Sequence, residues 1–308
     1  MKVSVVIPAY QPRADELAAT LDALRAQTLP LDAWELVLVD NRSDPPVDPA
    51  AVAWHPHGRC IREEQPGLVH SRAAGFRQSS ADVIIVVDQD NVLAPDYLAT
   101  ALEIAAAFPR IGAWGAGVIA PRYERPELAP PPSLRPLLTL RESAADAWSN
   151  DIHHHDSTPW GAGLCIRRAV AGAYLGALQS NPEKSRLDLR GTERLSGGDT
   201  DIAYTACAMG LGKGVFPRLR IEHLIPASRC TAAFLCRTGE GRGYSEVLHH
   251  LVLTGRLPAA RTGLAWMLRH WRRRSALSSI ERQVDRAMES GRQRALRELS
   301  HPGSPRRP

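Results

Sequence analysis

The chain has no CxxC pair, and its five cysteines (Cys60, Cys165, Cys207, Cys230 and Cys236) are odd in number. Both facts argue against a disulfide framework and a structural zinc site, and they fit a reducing compartment. No apolar run approaches the roughly 20 residues of a membrane span. The opening "MKVSVVIPAYQPR" has too short an apolar core for a signal peptide. The expectation is a cytoplasmic protein, held at most at the inner face of a membrane. An internal repeat and a nucleic-acid-binding motif are also missing, so nucleic acid is not an expected partner. What is present is 308 residues, 44% hydrophobic and 23% charged, enough for a sizeable core. The net charge of +5 is uneven: residues 255–308 hold 13 Arg and 4 acids, a net of +9. The remaining 25 basic and 29 acidic residues sum to −4, so the basic character belongs to the tail.

"VSVVIP" reads as a strand stopped by Pro8, and "DELAATLDALRAQT" as a helix with Leu17, Leu21 and Leu24 on one face and Asp15 as N-cap. "WELVLVDN" predicts a second buried strand, "PGLVHSRAAGFRQSS" a helix and "VIIVVDQD" a third strand; Pro95 opens the helix "DYLATALEIAAAF". Apolar strands alternating with helices predict an α/β fold with a mostly parallel central sheet and helices on both faces. Ligands of such sheets gather beyond the carboxyl ends of the strands. Asp40, Asp88 and Asp90 all fall there. Six prolines between residues 121 and 136 predict loops, with a short helix around Leu137 to Trp148. "WGAGLCIRRAV" then reads as strand and helix, "DTDIAYTACAMG" as a helix ended by Gly210, and "GVFPRLRIEHLIP" as one or two short strands. Beyond Thr231 the chain reads as mainly helical.

Asp88-Gln89-Asp90 sets two carboxylates on one side of an extended chain. Oxygen ligands so placed suit Mg2+ or Mn2+, which accept substrate phosphates as further ligands; a pair of solvated loop acids is the plain alternative. In "GGDTD", Asp199 could point into a cleft from a helix start or simply cap the helix.

Taken in order, "VSVVIPAY", "ELVLVDNRSD", "GLVHSRAAGFRQSSADVIIVVDQDNVLAPDYL", "WGAGLCIRRAV" and "LSGGDTDIAYTACAMGLGKGVFPRLRIEHLIPASR" resemble family 2 glycosyltransferases over roughly residues 3 to 245. The resemblance implies a GT-A domain over 1–230, with a nucleotide-sugar half to about residue 120 and an acceptor half over about 121–230. Residues 231–308 are expected to be a helical, Arg-rich extension with a disordered end. It implies an inverting transfer from a nucleotide sugar, a UDP sugar above all, to a glycan or lipid-linked glycan. By the resemblance Pro8, Ala9 and Tyr10 line the base, Asp40 reads its edge, Arg72 contacts the nucleotide and Asp88 lies near the ribose. Asp90 and His223 hold a divalent metal, Mn2+ or Mg2+. Asp199 is the general base, and Trp160, Gly161 and Asp201 face the acceptor. Gly198 stands where the family usually has an acid, and Asn41 follows Asp40 where a second acid is commoner.

Other readings stay open. A sugar-phosphate nucleotidyltransferase shares the strand-end acids, but "PAYQPRAD" lacks its Gly- and Arg-rich loop. Gly198 favours a catalytically silent relative that binds at a membrane surface. His153-His154-His155-Asp156 reads as an exposed acceptor-side loop or metal ligands. Trp160 reads as a sugar platform or a core residue. Arg229 and Arg237 read as phosphate contacts or solvated helix residues. In "RTGLAWMLRHWRRRSALSS", five apolar residues (Leu264, Trp266, Met267, Leu268, Trp271) mix with arginines. That is a basic helix for an anionic membrane surface, a packed helix or an oligomer contact.

Overall fold

β1 (Val3–Ala9), β2 (Trp34–Asp40) and β4 (Val83–Val86) bury every residue because the sheet is covered on both faces. In the computed structural model, residues 1–188, 195–259, 272 and 274–300 are described. β3 (Gly58–Arg62), the edge strand, is only half-buried. These four strands pair in parallel, with Val3 opposite both Trp34 and Val83. Side chains alternate between two cores, as period two requires. Val5, Ile7, Leu36, Leu38 and Ile85 meet α1 (Ala14–Arg25) and α3 (Tyr97–Ala107) on one face. Val6, Val37, Val39, Ile84 and Val86 meet α2 (Leu68–Gln78) and, further on, α4 (Arg168–Ser180) and α5 (Gly198–Ala208) on the other. Asp15 lies inside the first turn of α1, and Arg13 takes the N-cap position.

The second half departs from the parallel expectation. β9 (Leu164–Arg167) runs antiparallel between β4 and β6 (Ile111–Tyr123), because the chain enters it from the cleft end at Trp160–Gly163. β6 pairs in parallel with the long β10 (Gly212–Ile225), whose far side carries β5 (Asn91–Leu93) antiparallel. The result is one ten-stranded mixed sheet. The helix expected over Leu137 to Trp148 is instead a 3-10 segment, Pro132–Leu138, followed by β7 (Arg141–Glu142) and β8 (Ala147–Ser149). The 3-10 segment that contains Pro136 ends at Leu138, and the sheet edges of β6 and β10 offer pairing that the next residues take.

After β10, α6 (Ala232–Thr254) and α7 (Ser279–Ser300) pack face to face. The glycines of "GEGRGYS" permit the contact. A Cβ on Gly243 would fall on the main chain of Met288, and one on Gly291 on that of Glu240. No helix among the described residues is long and apolar enough to cross a membrane. The basic segment with Leu264, Trp266, Met267, Leu268 and Trp271 lies outside the described residues, as does the chain end expected to be disordered.

At the amino end of the sheet, Glu35 is buried yet ionised. It accepts from Ser4 Oγ at 2.5 Å, Ser80 N at 2.5 Å and Ser80 Oγ at 2.8 Å, and pairs with Arg59 at 2.9 Å. Burial alone would raise its pKa, but these donors and Arg59 bring it down to about 2. The folded value lies below the unfolded one. The resulting stability is therefore full above about pH 4.5 and is lost as pH falls toward 2, a contribution of about 3 kcal/mol. Glu35→Gln should flatten the acid limb of the stability–pH curve in that window, read by urea melts. Gly243→Ala should cost about 1–3 kcal/mol despite the better helix propensity of alanine, because the main chain of Met288 must move. An unchanged urea midpoint would contradict the close helix contact.

Candidate active site

A cleft of about 830 Å³ opens at the carboxyl ends of the strands. Pro8, Ala9 and Tyr10 line one end. Gln89 ties that loop to the end of β4: Tyr10 N donates to Gln89 Oε1 at 2.8 Å. Asp88 and Asp90 both line the cleft, but their surroundings differ. Burial, reinforced by Asp90, raises the pKa of Asp88 in spite of Arg72. Burial acts on Asp90 in the same direction, yet the Arg229 guanidinium beside it holds its carboxyl well below the usual range. Asp90 Oδ2 lies 2.9 Å from Arg229 Nη1 and 3.4 Å from His223 Nε2.

Arg72, on α2, is 3% exposed and sits beneath these acids. Its Nη1 donates to Asp188 Oδ2 at 2.7 Å, and its Nη2 lies 3.9 Å from Asp88 Oδ1. Burial opposes its charge, and Asp188, Asp88 and Asp199 more than restore it. A side chain at Gly161 would collide with this guanidinium, which explains the glycine there.

Asp199 lies in the first turn of α5, whose N-cap is Gly197 at φ +130°, a backbone that favours glycine. Asp199 is thus not the cap. Its Oδ1 accepts from Thr200 N at 2.7 Å and its Oδ2 from Gly161 N at 2.8 Å, which aims the carboxylate across the cleft. Gly198 is no loose hinge: a Cβ there would meet the Asp188 carboxylate. The Asp188 carboxylate occupies the space beside Gly198 and accepts from Arg72, a neighbourhood that sequence reading had no means to find.

Two expectations need correcting. Asp40 does not line the cleft. Its Oδ1 accepts from Ser43 N at 2.9 Å and its Oδ2 from Arg62 at 2.7 Å, so the buried carboxylate pins its own loop. Asn41 does line the cleft, but its amide is spent on the main chain of Glu63, Gln65 and Gly67. Asp201 is 1% exposed, points away from the cleft and pairs with Lys184. Two residues further along a helix turn a side chain to another face.

Trp160 and Gly161 line the cleft, and Arg141 stacks 3.8 Å from the Trp160 ring centroid. Burial, partly countered by Asp199, pulls Arg141 down to about 10. His155 borders the cleft, whereas Lys213 donates to the His154 carbonyl at 2.6 Å and fastens that loop. No cluster of three or more His, Cys, Asp or Glu able to hold a metal occurs among the described residues. The opposite wall was not foreseen. Thr238, Arg242, Ser245, Glu246 and His249 line it from one face of α6.

The family model described as Glycosyl transferase family 2 matches residues 4–154. The matched segment, just under half of the chain, is a glycosyltransferase family 2 domain. Glycosyltransferase AglE of Haloferax volcanii is 33% identical over 92 residues, which are 29% of this chain and 30% of the relative. The match thus spans under a third of that relative's length. The mannosyltransferase PcManGT from Pyrobaculum calidifontis, solved with GDP-Man and Mn2+, superposes with a TM-score of 0.54. It is 20% identical, with 99% of this chain and 76% of that one covered. GalNAc-T7, solved with UDP, GalNAc and Mn2+, gives a TM-score of 0.50 at 18% identity, with 72% and 43% covered. The fold is the GT-A fold of these glycosyltransferases. The matched segment holds Arg72, Asp88 and Asp90, while Asp199, His223 and Arg229 come from outside it. Asp40→Ala should leave the Ser43 N–H buried and unpaired and lower stability by about 1–3 kcal/mol. Nucleotide preference should not change. A switched preference at unchanged melting temperature would restore Asp40 as the base reader.

Proposed function

We propose that this chain transfers a sugar, with inversion, from a nucleoside diphosphate sugar to a hydroxyl of a glycan or lipid-linked glycan. The observation that carries the reading is the position of Asp199. Its carboxylate, fixed by the Gly161 and Thr200 N–H groups, stands between the Asp88–Asp90 end of the cleft and the α6 wall. A sugar bound beside Asp88 would present its reacting carbon toward Asp199. A hydroxyl arriving from α6 would lie within reach of the base, on the face opposite the leaving diphosphate.

Uracil is the base favoured by the resemblance, and main-chain groups near Pro8, Ala9 and Gly67 then recognise it in place of Asp40. A divalent cation, Mn2+ or Mg2+, held by Asp90 and His223 supplies charge to the leaving diphosphate when bound. On the acceptor side, Thr238 Oγ1 and His249 Nε2 are buried without a protein partner. Burial holds His249 toward its neutral form, so a sugar hydroxyl could satisfy both atoms. Asp188 beside Gly198 supplies the carboxylate whose absence favoured a silent relative. Attachment to the cytoplasmic face of a membrane is a further part of the proposal and rests on the basic tail alone.

Asp199→Asn removes the base and keeps one of its two main-chain hydrogen bonds, because the amide nitrogen cannot accept. Transfer should fall by at least about 10²-fold, while calorimetric affinity for the nucleotide changes little. Transfer at near the normal rate by this variant would show that the base lies elsewhere. The donor is found by thermal stabilisation with nucleotide sugars and Mn2+, because a ligand that binds the folded state raises the melting temperature.

A further inference from the structure

The donor atoms expected to hold a metal do converge. His223 Nδ1 lies 2.9 Å from the Leu138 carbonyl. A carbonyl only accepts, so Nδ1 carries the proton of the neutral ring and the Nε2 lone pair faces Asp90 Oδ2 at 3.4 Å. A carboxylate oxygen and an imidazole nitrogen suit Mn2+, with phosphate oxygens and water completing the shell. The residues fit such an ion, but the space between them is taken. Arg229 Nη1 lies 2.9 Å from Asp90 Oδ2 and 3.1 Å from His223 Nε2. A guanidinium only donates, so it uses the same two lone pairs that an ion would use.

We propose that Arg229 is the resident cation of the metal position: the guanidinium and a divalent ion exclude each other, and the ion enters only when a diphosphate draws Arg229 away. The inference rests on reading the cleft as a nucleoside diphosphate site. The mobilities of the parts suit it. His223 is buried in β10 opposite Asn91 of β5, and Asp90 is buried immediately before β5. Arg229 stands on one 3-10 turn, Ala227–Cys230, with its side chain 28% exposed, so it can swing outward without unpacking the core. A diphosphate offers guanidinium a bidentate partner in exchange for Asp90. Two cations a few ångströms apart in a partly buried site repel strongly, so joint occupancy of the lone pairs is excluded. Glu16 and Arg13 line the same end, 3.6 Å apart. Burial and the Asp90 charge raise the Glu16 carboxyl, and Arg229 opposes that effect. When the diphosphate leaves, the return of Arg229 to Asp90 displaces the ion with it.

The test is titration of the full chain with Mn2+ alone, followed by the electron paramagnetic resonance signal of free Mn2+. The wild type should bind weakly, and saturating UDP should tighten binding. Arg229→Ala and Arg229→Gln should each bind Mn2+ at least tenfold tighter than wild type without nucleotide, and adding Asp90→Asn should remove the gain. Melting curves identify a variant that fails to fold, and the glutamine variant preserves side-chain length and polarity. The proposal is overturned if neither folded variant binds Mn2+ more tightly than wild type. It is equally overturned if the gain survives Asp90→Asn, or if wild type binds Mn2+ as well without UDP as with it. Absence of turnover with every nucleotide sugar would sink the transferase reading and leave these titrations unaffected.

Discussion

Carboxylates crowd together at the carboxyl end of the sheet, and two guanidinium groups make that crowding tolerable. Asp88, Asp188 and Asp199 surround Arg72, and Asp90 is held by Arg229. Buried like charges without partners would neutralise or unfold the site. Much of the local architecture follows from admitting Arg72. Gly161 has no side chain because the guanidinium needs that space, and Gly198 has none because the Asp188 carboxylate does. The same constraint leaves Asp199 as a half-buried carboxylate whose oxygens are fixed by main-chain donors. Its direction is therefore set before any ligand arrives.

Acids at the strand ends are not equivalent, and the donors around each one separate their roles. Glu35, at the amino end, has its acceptor capacity filled by Ser4, Ser80 and Arg59, and it works as a structural anion. Asp40 is at the carboxyl end, where ligands gather, yet Ser43 and Arg62 use it up in the same way. Asp88 and Asp90 keep faces toward the cleft. A strand-end acid is thus available to a ligand only when the loop that follows does not bend back to hydrogen-bond it.

The C-terminal helices belong to the site as much as to the scaffold. Ser196 N donates to Ser245 Oγ at 2.9 Å, which joins the approach to α5 with the cleft-facing side of α6. Gly239, Gly243 and Gly291 bring α7 against the other side. The small residues of "GEGRGYS" are what let the polar face of α6 stand as a firm wall opposite Asp90.

The alternation of apolar strands and helices in the first 110 residues was legible because period two and period 3.6 are local signals. So was the clustering of acids at strand ends. "VIIVVDQD" alone places Asp88 and Asp90 at the end of a buried strand, and the parallel strands β1, β2 and β4 follow from their unbroken burial. Local order could not show that β9 runs antiparallel, since its direction depends on the path of the preceding loop. Nor could it show that Asp40 is spent on Arg62, 22 residues away, or that Asp188 fills the space beside Gly198. The position of Arg229 between Asp90 and His223 lay equally out of reach, because Arg229 and Asp90 stand far apart along the chain. The sequence by itself determined which elements form and which residue types reach the cleft. Only the tertiary structure decided which charges face one another there, because electrostatic pairing depends on distances through space that no local pattern encodes.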